Sequence, residues 1–169
     1  AGIREGLENT VWKGRMEILG KNPLILLDGG HNPQGALSFR SSVDQLFAEE
    51  FKNNPPRLIL GVMQDKDYAG ILKVLFHNLP YRFREIICVT PDNPRALPAQ
   101  ALRSAIVTNF GEEDLFYKIP ADMYNRQDKI LACDNAVSAC REASLLSVTD
   151  GAPILCMGSL YLAGEVRST

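Results

Sequence analysis

The stretch at residues 23–33, "PLILLDGGHNP", joins a continuous apolar run to a turn that carries an acid and a histidine. The run at 23–28 is typical of a strand buried on both faces of a sheet. Asn32 can cap a following helix, and Pro33 suits its first turn because the missing amide is not needed there. The segment therefore predicts a strand, a tight turn and a helix in succession.

The same succession of strand and helix repeats along the chain. Such alternation is typical of a mostly parallel sheet with helices on both faces, so the sequence predicts a Rossmann-like α/β fold. Only a few residues join the first two predicted strands, which indicates an antiparallel N-terminal strand. The predicted strands cover 16–20, 23–28, 57–63, 85–90 and 153–157, and the predicted helices cover 34–52, 68–79, 97–107, a segment after Asp134 and a short one within 158–167.

The region before the last predicted strand carries a weaker pattern. Two short strands are predicted there, at 115–119 and 129–133, with a loop insertion between them. A helix is expected to follow, with Asp134 as its N-cap and with Val137 and Cys140 on its inward face.

Composition limits the class of protein. The 169 residues suit a single domain, 1–169, with a substantial core, since 46% are hydrophobic and 22% are charged. A net charge of −2 leaves no basic footprint for nucleic acid or for an anionic membrane. No apolar run suggests a signal peptide or a membrane span. The four cysteines form no C-x-x-C pair, so we expect no metal site and buried free thiols in a reducing compartment. Together these features predict a cytoplasmic protein, with an organelle as the open alternative.

Polar residues and glycines gather where the predicted strands end. In open α/β sheets, ligands bind beyond the carboxyl ends of the strands, so side chains at those positions converge. Loops are polar in general, so the convergence favours a site without proving one. The residues are Asp28, His31 and Asn32, then Asp65, Lys66 and Asp67, then Thr90, Asp92 and Arg95, and finally Gly158, Ser159 and Tyr161.

Each of these motifs also has a purely structural interpretation. Asp28 can accept hydrogen bonds from ribose hydroxyls, yet "DGGHNP" also builds a turn and a cap without any ligand. Asp67 can cap a helix while Lys66 remains solvated. The chain has no G-x-x-x-x-G-K-[ST] phosphate loop and no G-x-G-x-x-G after a strand. If this domain binds a nucleoside triphosphate, it therefore supplies only part of the site.

Five motifs stand in order along the chain, namely "WKGRMEIL", "LLDGGHNPQGA", "GVMQDKD", "TPDNPRALPAQAL" and "MGSLYLAGEVR". Together they resemble the folylpolyglutamate synthase/dihydrofolate synthase family of the Mur ligase superfamily. The resemblance implies an ATP-dependent amide ligase that activates a folate or pteroate carboxylate as an acyl phosphate, which the amine of L-glutamate then attacks. It covers about residues 10–107 and 134–167 and implies the C-terminal domain only.

The resemblance implies roles for three residues at the nucleotide. Arg15 matches an arginine expected at the ATP phosphates, and Asp28 matches an aspartate expected at the ribose. His31 matches a histidine expected near the phosphates or the domain interface, with a catalytic role. Lys13 stands where the family usually has proline and Gly30 where it usually has alanine, which leaves the polar residues intact.

Three further residues match positions associated with the incoming glutamate. Lys66, Ser159 and Tyr161 are implied to bind this substrate and to support productive closure. Lys66 and Ser159 are also implied to be catalytic, together with His31. An acyl phosphate must be shielded from water, so a closing domain that completes the site is physically reasonable.

The resemblance also implies what the chain works with. ATP and Mg²⁺ are the expected cofactors, with the magnesium ligands in a separate N-terminal ATPase domain, so the isolated chain is predicted to be inactive. Folate or dihydropteroate, L-glutamate and ATP are the expected small-molecule partners of a monomer that binds neither nucleic acid nor membrane. Two alternatives stay open: another Mur-type ligase acting on a cell-wall precursor, and a non-catalytic nucleotide-binding module.

Overall fold

One sheet organises the part of the chain that the computed structural model describes, residues 13–117 and 129–169. Its six strands are β1 (Glu17–Lys21), β2 (Leu24–Asp28), β3 (Arg57–Leu60), β4 (Glu85–Val89), β5 (Ile130–Cys133) and β6 (Ile154–Met157). Their order across the sheet is β1-β2-β6-β3-β4-β5. β1 pairs with β2 antiparallel, and the other neighbouring pairs are parallel. The predicted fold, with its antiparallel N-terminal strand, is confirmed.

Helices cover both faces of this sheet, as predicted. Residues of the first four helices share one hydrophobic cluster with strand residues such as Leu26, and residues of the last two share a second cluster with strand residues such as Leu27. Each central strand is buried on both faces because successive side chains point to opposite layers. The helices are α1 (Pro33–Asn53), α2 (Tyr68–Phe76), α3 (Ala99–Asn109), α4 (Glu112–Leu115), α5 (Ala136–Asp150) and α6 (Leu160–Ser168).

Side-chain caps begin the two helices that follow β2 and β3. Asn32 Oδ1 accepts a hydrogen bond from the amide of Gly35 at 2.7 Å, and Pro33 is the first residue of α1. Asp67 caps α2 in the same way, while Lys66 is exposed. The structural interpretations of both motifs are therefore correct, whatever else these loops do.

The prediction for α5 is wrong in two respects. Asn135, not Asp134, is the N-cap, and its Oδ1 accepts a hydrogen bond from the amide of Ser138 at 2.9 Å. Val137 is 49% exposed and does not face inward, whereas Cys140 is half-buried and packs against the second hydrophobic cluster, as predicted. A hydrophobicity pattern favours valine over alanine and so selects the wrong face, whereas small residues let the helix lie close to the sheet. The buried stripe consists of Ala136, Ala139, Ala143 and Ser147.

The weakly patterned region is also partly corrected. The predicted strand at 115–119 does not form in its described part, where Phe116 makes only an isolated parallel bridge with Phe83. The strand predicted at 129–133 is confirmed as β5. The rest of the first strand and the predicted loop insertion lie outside the described residues.

The cysteines are free thiols, as predicted, but only Cys88 and Cys156 are buried, whereas Cys133 and Cys140 are half-buried. Burial raises the pKa of Cys88 to about 12 and that of Cys140 to about 11, so both stay protonated at neutral pH. Among the described residues, no group of three or more His, Cys, Asp or Glu could hold a metal ion. None of the described helices combines the length and the apolar character needed to cross a membrane.

A buried ion cluster ties the amino ends of β3 and β4 to the end of α5. Arg57 is fully buried, and its Nε donates to Glu85 at 2.8 Å. Its two terminal nitrogens donate to the Asp150 carboxylate at 2.8 and 2.5 Å. Desolvation opposes ionisation of Asp150, but the hydrogen bonds and charge of Arg57 outweigh it, so the pKa of Asp150 is lowered. Each buried charge is thus paired, as burial requires.

The Asp150 carboxylate should make stability depend on pH. Because its folded-state pKa lies below the ordinary value of about 3.9, its contribution is complete above that value and is lost as pH falls through the folded pKa. We expect Asp150→Asn to lower the free energy of unfolding by about 2 kcal/mol at neutral pH, the scale of a hydrogen bond to a charged group. The deficit should shrink below about pH 4.

Urea unfolding across acid and neutral pH measures this deficit. Glu49→Gln is the matched control, because Glu49 pairs with Lys52 on the exposed side of α1. That change should alter stability by less than about 0.5 kcal/mol. A deficit for Asp150→Asn that stays constant down to the acid transition would contradict the prediction.

Candidate functional site

The carboxyl end of β6 lies between those of β2 and β3, and the three strands continue in different directions. β2 and β3 lead into α1 and α2 on one face, whereas β6 leads into α6 on the other. Such a reversal is a topological switch point, where diverging loops leave a crevice suited to a ligand. The loops that border it are 29–32, 61–67 and 158–159.

A close backbone approach joins the loops after β3 and β6. Gly158 has a φ of +121°, and a Cβ there would lie 2.5 Å from the carbonyl oxygen of Gly61. A Cβ on Gly61 would in turn approach Pro91 Cγ to 2.9 Å. Only glycine at position 158 can both adopt this positive φ and leave room for the Gly61 carbonyl. This close approach places Ser159, at the start of α6, beside the end of β3.

A cavity of about 200 Å³, here called the strand-end cavity, opens at the switch point. It brings together four predicted residues from three loops, since His31 follows β2, Lys66 follows β3, and Ser159 and Tyr161 follow β6. Arg95 reaches the same cavity from the loop after β4. The lining is completed by the apolar side chains of Met63 and Leu160.

Arg95 is named above among the strand-end residues, but the resemblance implied no role for it. Its Nη2 donates to the Tyr161 hydroxyl at 3.2 Å, and its Nη1 donates to Asp65 Oδ2 at 2.9 Å. The hydrogen bond to Tyr161, followed by the charge of Asp65, raises the pKa of Arg95. A guanidinium held on two sides is already oriented to receive a carboxylate. The signal was present, because Arg95 and Asp65 both follow strand ends.

Ser159 has a structural task at the rim of the strand-end cavity. It is 1% exposed, and its Oγ accepts a hydrogen bond from the amide of Leu162 at 3.0 Å as the N-cap of α6. Tyr161, two residues later, is 43% exposed. The catalytic role predicted for Ser159 and the substrate contact predicted for Tyr161 stay predictions.

A second cavity, of about 270 Å³, also has His31 in its lining. We call it the Arg15 cavity, because Arg15 and His31 both line it. His31 Nδ1 lies 3.2 Å from the carbonyl oxygen of Gly29, which helps to orient the ring. Two predicted nucleotide residues therefore meet here, and His31 belongs to both cavities. The other lining residues are Asn32, Gln34, Gly35 and Ser38.

Asp28 holds the turn that carries His31, which lines both cavities. It is 4% exposed, and its carboxylate accepts hydrogen bonds from the amides of Gly30 at 2.7 Å and Met16 at 3.0 Å. The Arg15 guanidinium lies 4.0 Å away. The contacts in the structure give Asp28 a role in fixing the backbone, and its predicted contact with ribose stays a prediction.

The chain resembles known proteins along almost its whole length. Residues 14–160 match the family model described as Mur ligase, glutamate ligase domain. Folylpolyglutamate synthase from Lacticaseibacillus casei is 33% identical over 171 residues, covering 99% of this chain and 32% of that protein. Dihydrofolate synthase/folylpolyglutamate synthase from Mycobacterium tuberculosis is 32% identical over 66% of this chain and 21% of that protein. The chain thus spans at most about a third of the length of these relatives.

Solved structures with the same fold include two synthases with bound nucleotides. Folylpolyglutamate synthase from Mycobacterium tuberculosis, complexed with ADP and AMPPCP, gives a TM-score of 0.73 at 27% identity and covers 98% of this chain and 34% of its own. The bifunctional folylpolyglutamate synthase/dihydrofolate synthase from Yersinia pestis, complexed with AMPPNP and Mn ion, gives 0.73 at 22% identity, covering 98% and 33%. The second likeness concerns the fold alone.

The approach of Gly158 to Gly61 makes a prediction about stability. We expect Gly158→Ala to lower the free energy of unfolding by at least about 2 kcal/mol, because a φ of +121° strains an L residue and its Cβ would collide with a carbonyl. Gly164→Ala in α6 is the control, since nothing lies within 4 Å of its added Cβ. It should raise stability by about 0.5–1 kcal/mol. Equal small effects in chemical denaturation would contradict the prediction.

Proposed function

We propose that this chain, which belongs to the glutamate ligase domain family of the Mur ligases, is the C-terminal domain of an ATP-dependent ligase. In this proposal the ligase adds L-glutamate to folate or dihydropteroate. The named relatives, which are folylpolyglutamate and dihydrofolate synthases, support this choice within the family. Their greater length supports the further proposal of an N-terminal ATPase domain as a partner of this one.

The strand-end cavity is the observation that carries the proposal. Lys66 and Arg95 give it two cationic side chains, while Tyr161 and Asp65 hold the Arg95 guanidinium in place. L-Glutamate has two carboxylates that such groups attract, and Arg in particular can bind a carboxylate through two hydrogen bonds. We therefore place the incoming glutamate in the strand-end cavity, with its carboxylates on Lys66 and Arg95.

In this proposal, ATP binds at the Arg15 cavity. Arg15 is placed at the ATP phosphates, where its charge would stabilise the phosphoryl group during transfer. Asp28 is placed near the ribose, and His31 at the phosphates between the two cavities. Adjacent cavities that share His31 would hold the two reactants close together, and such proximity contributes up to about 7–11 kcal/mol in well-oriented cases.

The proposed reaction has two steps. A carboxylate oxygen of the folate substrate attacks the γ-phosphorus of ATP, the bond to ADP breaks, and an acyl phosphate forms. The glutamate amine then attacks the acyl carbon, inorganic phosphate leaves with the electrons of the broken bond, and the amine loses a proton. The acyl phosphate is prone to hydrolysis, so water must be excluded while both cavities are occupied.

The proposal assigns no metal to the described residues. They offer no cluster of three or more metal-ligating side chains, so no step uses Mg²⁺ held by them, and the magnesium of ATP is proposed to bind in the ATPase domain. The free thiols fit a reducing compartment, which supports a cytoplasmic protein. We also propose that the protein acts as a monomer without nucleic acid or membrane partners, consistent with a net charge of −2.

A substrate panel tests the proposed function. The full-length protein should consume ATP and ligate L-glutamate to folate or dihydropteroate, and it should leave muramoyl substrates unchanged. The 169-residue chain alone should show no ligation, because it has no phosphate loop. Ligation of a muramoyl substrate would favour the other Mur-type ligase, and no turnover of any substrate would favour a non-catalytic module. Activity of the isolated chain would contradict the division of the site between two domains.

Substitutions in the strand-end cavity should separate glutamate binding from ATP binding. In the full-length protein, Arg95→Ala or Lys66→Ala should raise the KM for L-glutamate about 10–100-fold, since a hydrogen bond to a charged group contributes about 1.5–3 kcal/mol. The KM for ATP should change by less than about twofold. Lys73→Ala, an exposed lysine on α2, is the control and should leave both constants unchanged. An unchanged glutamate KM would exclude this placement of glutamate.

A further inference from the structure

The loop that carries Arg15 has an unusual backbone. We call residues 13–16 the Arg15 loop; within it, Gly14 has a φ of +74° and Met16 a φ of +43°. A residue other than glycine rarely adopts a positive φ, and doing so costs about 1–3 kcal/mol. Such a conformation persists only when surrounding contacts hold it, so the contacts of this loop decide where Arg15 points.

Three hydrogen bonds hold the Arg15 loop. The carbonyl oxygen of Gly14 accepts from the amide of Gly29 at 2.7 Å, and the amide of Met16 donates to Asp28 at 3.0 Å. The amide of Gly14 donates to Glu17 Oε2 at 2.7 Å. Two of these contacts tie the loop to the turn after β2, whereas the third ties it to the first residue of β1.

Glu17 is itself fixed from a different part of the fold. Its Oε1 lies 3.2 Å from Nε of Arg167 in the last turn of α6. The Glu17 side chain is 11% exposed, so the pair is partly removed from solvent and should be stronger than an exposed ion pair. The helix that begins at Ser159 beside the strand-end cavity therefore also supports the Arg15 loop.

Among residues 13–117 and 129–169, few contacts constrain the Arg15 side chain itself. It is 50% exposed, and its guanidinium approaches Asp28 only to 4.0 Å. Its position in the Arg15 cavity therefore depends on the backbone of the loop more than on its own contacts. A change that releases the amide of Gly14 should let the loop relax from its positive-φ conformation and move the Arg15 side chain.

We propose that Glu17, held by Arg167, is a positioning residue that fixes the Arg15 loop for the nucleotide. This inference rests on the proposed function, since it needs Arg15 to contact the ATP phosphates. Glu17 does not line either cavity among the described residues, so it acts through Arg15 and not by touching a substrate.

Steady-state kinetics of the full-length protein test the proposal. Glu17→Ala should raise the KM for ATP about tenfold, because a small displacement of a charged group is costly in a preorganised site, and it should leave the KM for L-glutamate within about twofold. Arg167→Met, which removes only the support of Glu17, should raise the KM for ATP by a smaller factor. Glu49→Ala, on the exposed side of α1, is the control and should change neither constant.

A double substitution distinguishes positioning from a general loss of structure. If Glu17 acts only through Arg15, Glu17→Ala in an Arg15→Ala background should leave the already raised KM for ATP unchanged. Additive effects, or an equal rise in both KM values, would overturn the proposal. If Glu17→Ala fails to fold, Arg167→Met decides the question by the same two readouts. Absence of glutamate ligation by the unmodified protein would instead refute the proposed function.

Discussion

The insertion of β6 between β2 and β3 is the constraint on which the rest of the site depends. β6 is the last strand in the chain, yet it lies in the middle of the sheet with parallel partners on both sides. The segment that follows β6 continues on the opposite face of the sheet from α1 and α2, where α6 packs. The approach of Gly158 to Gly61 makes this exit possible, and it places Ser159 and Tyr161 at the centre of the carboxyl edge.

Much of this arrangement could be predicted from the sequence, because it depends on local patterns. Apolar runs and helical spacing give the elements, and the rule that ligands bind beyond strand ends selects His31, Lys66 and Ser159. The position of Arg95 at the cavity depends instead on a long-range contact. The amide of Gln64 donates to the carbonyl of Arg95 at 2.7 Å, which holds the loop after β4 against the loop after β3. The same rule places Arg95 at a strand end, but a contact of that kind leaves no periodic signal that would assign Arg95 to this cavity. Val137 was misplaced because alanines, not larger apolar residues, cover the sheet there.

The structural roles of the strand-end residues do not use all of their hydrogen-bonding capacity. Asp28 accepts two backbone hydrogen bonds, and a carboxylate has about four acceptor positions, so these bonds leave some of its acceptor capacity unused. Ser159 Oγ accepts from an amide, and its own O–H remains capable of donating. A residue that builds a turn at the rim of a cavity is thereby held rigidly, which is a requirement for a residue that must meet a ligand in a fixed geometry.

Under the proposed function, the charges around the strand-end cavity would link substrate binding to closure. Lys66 and Arg95 carry two positive charges and Asp65 one negative charge, and all three side chains are exposed. Covering them with another domain would bury an unbalanced positive charge, which is unfavourable by several kcal/mol. L-Glutamate carries one net negative charge at neutral pH, so its binding restores the balance. Glutamate binding would therefore favour closure, and water would be excluded at the stage when the acyl phosphate can react with the amine.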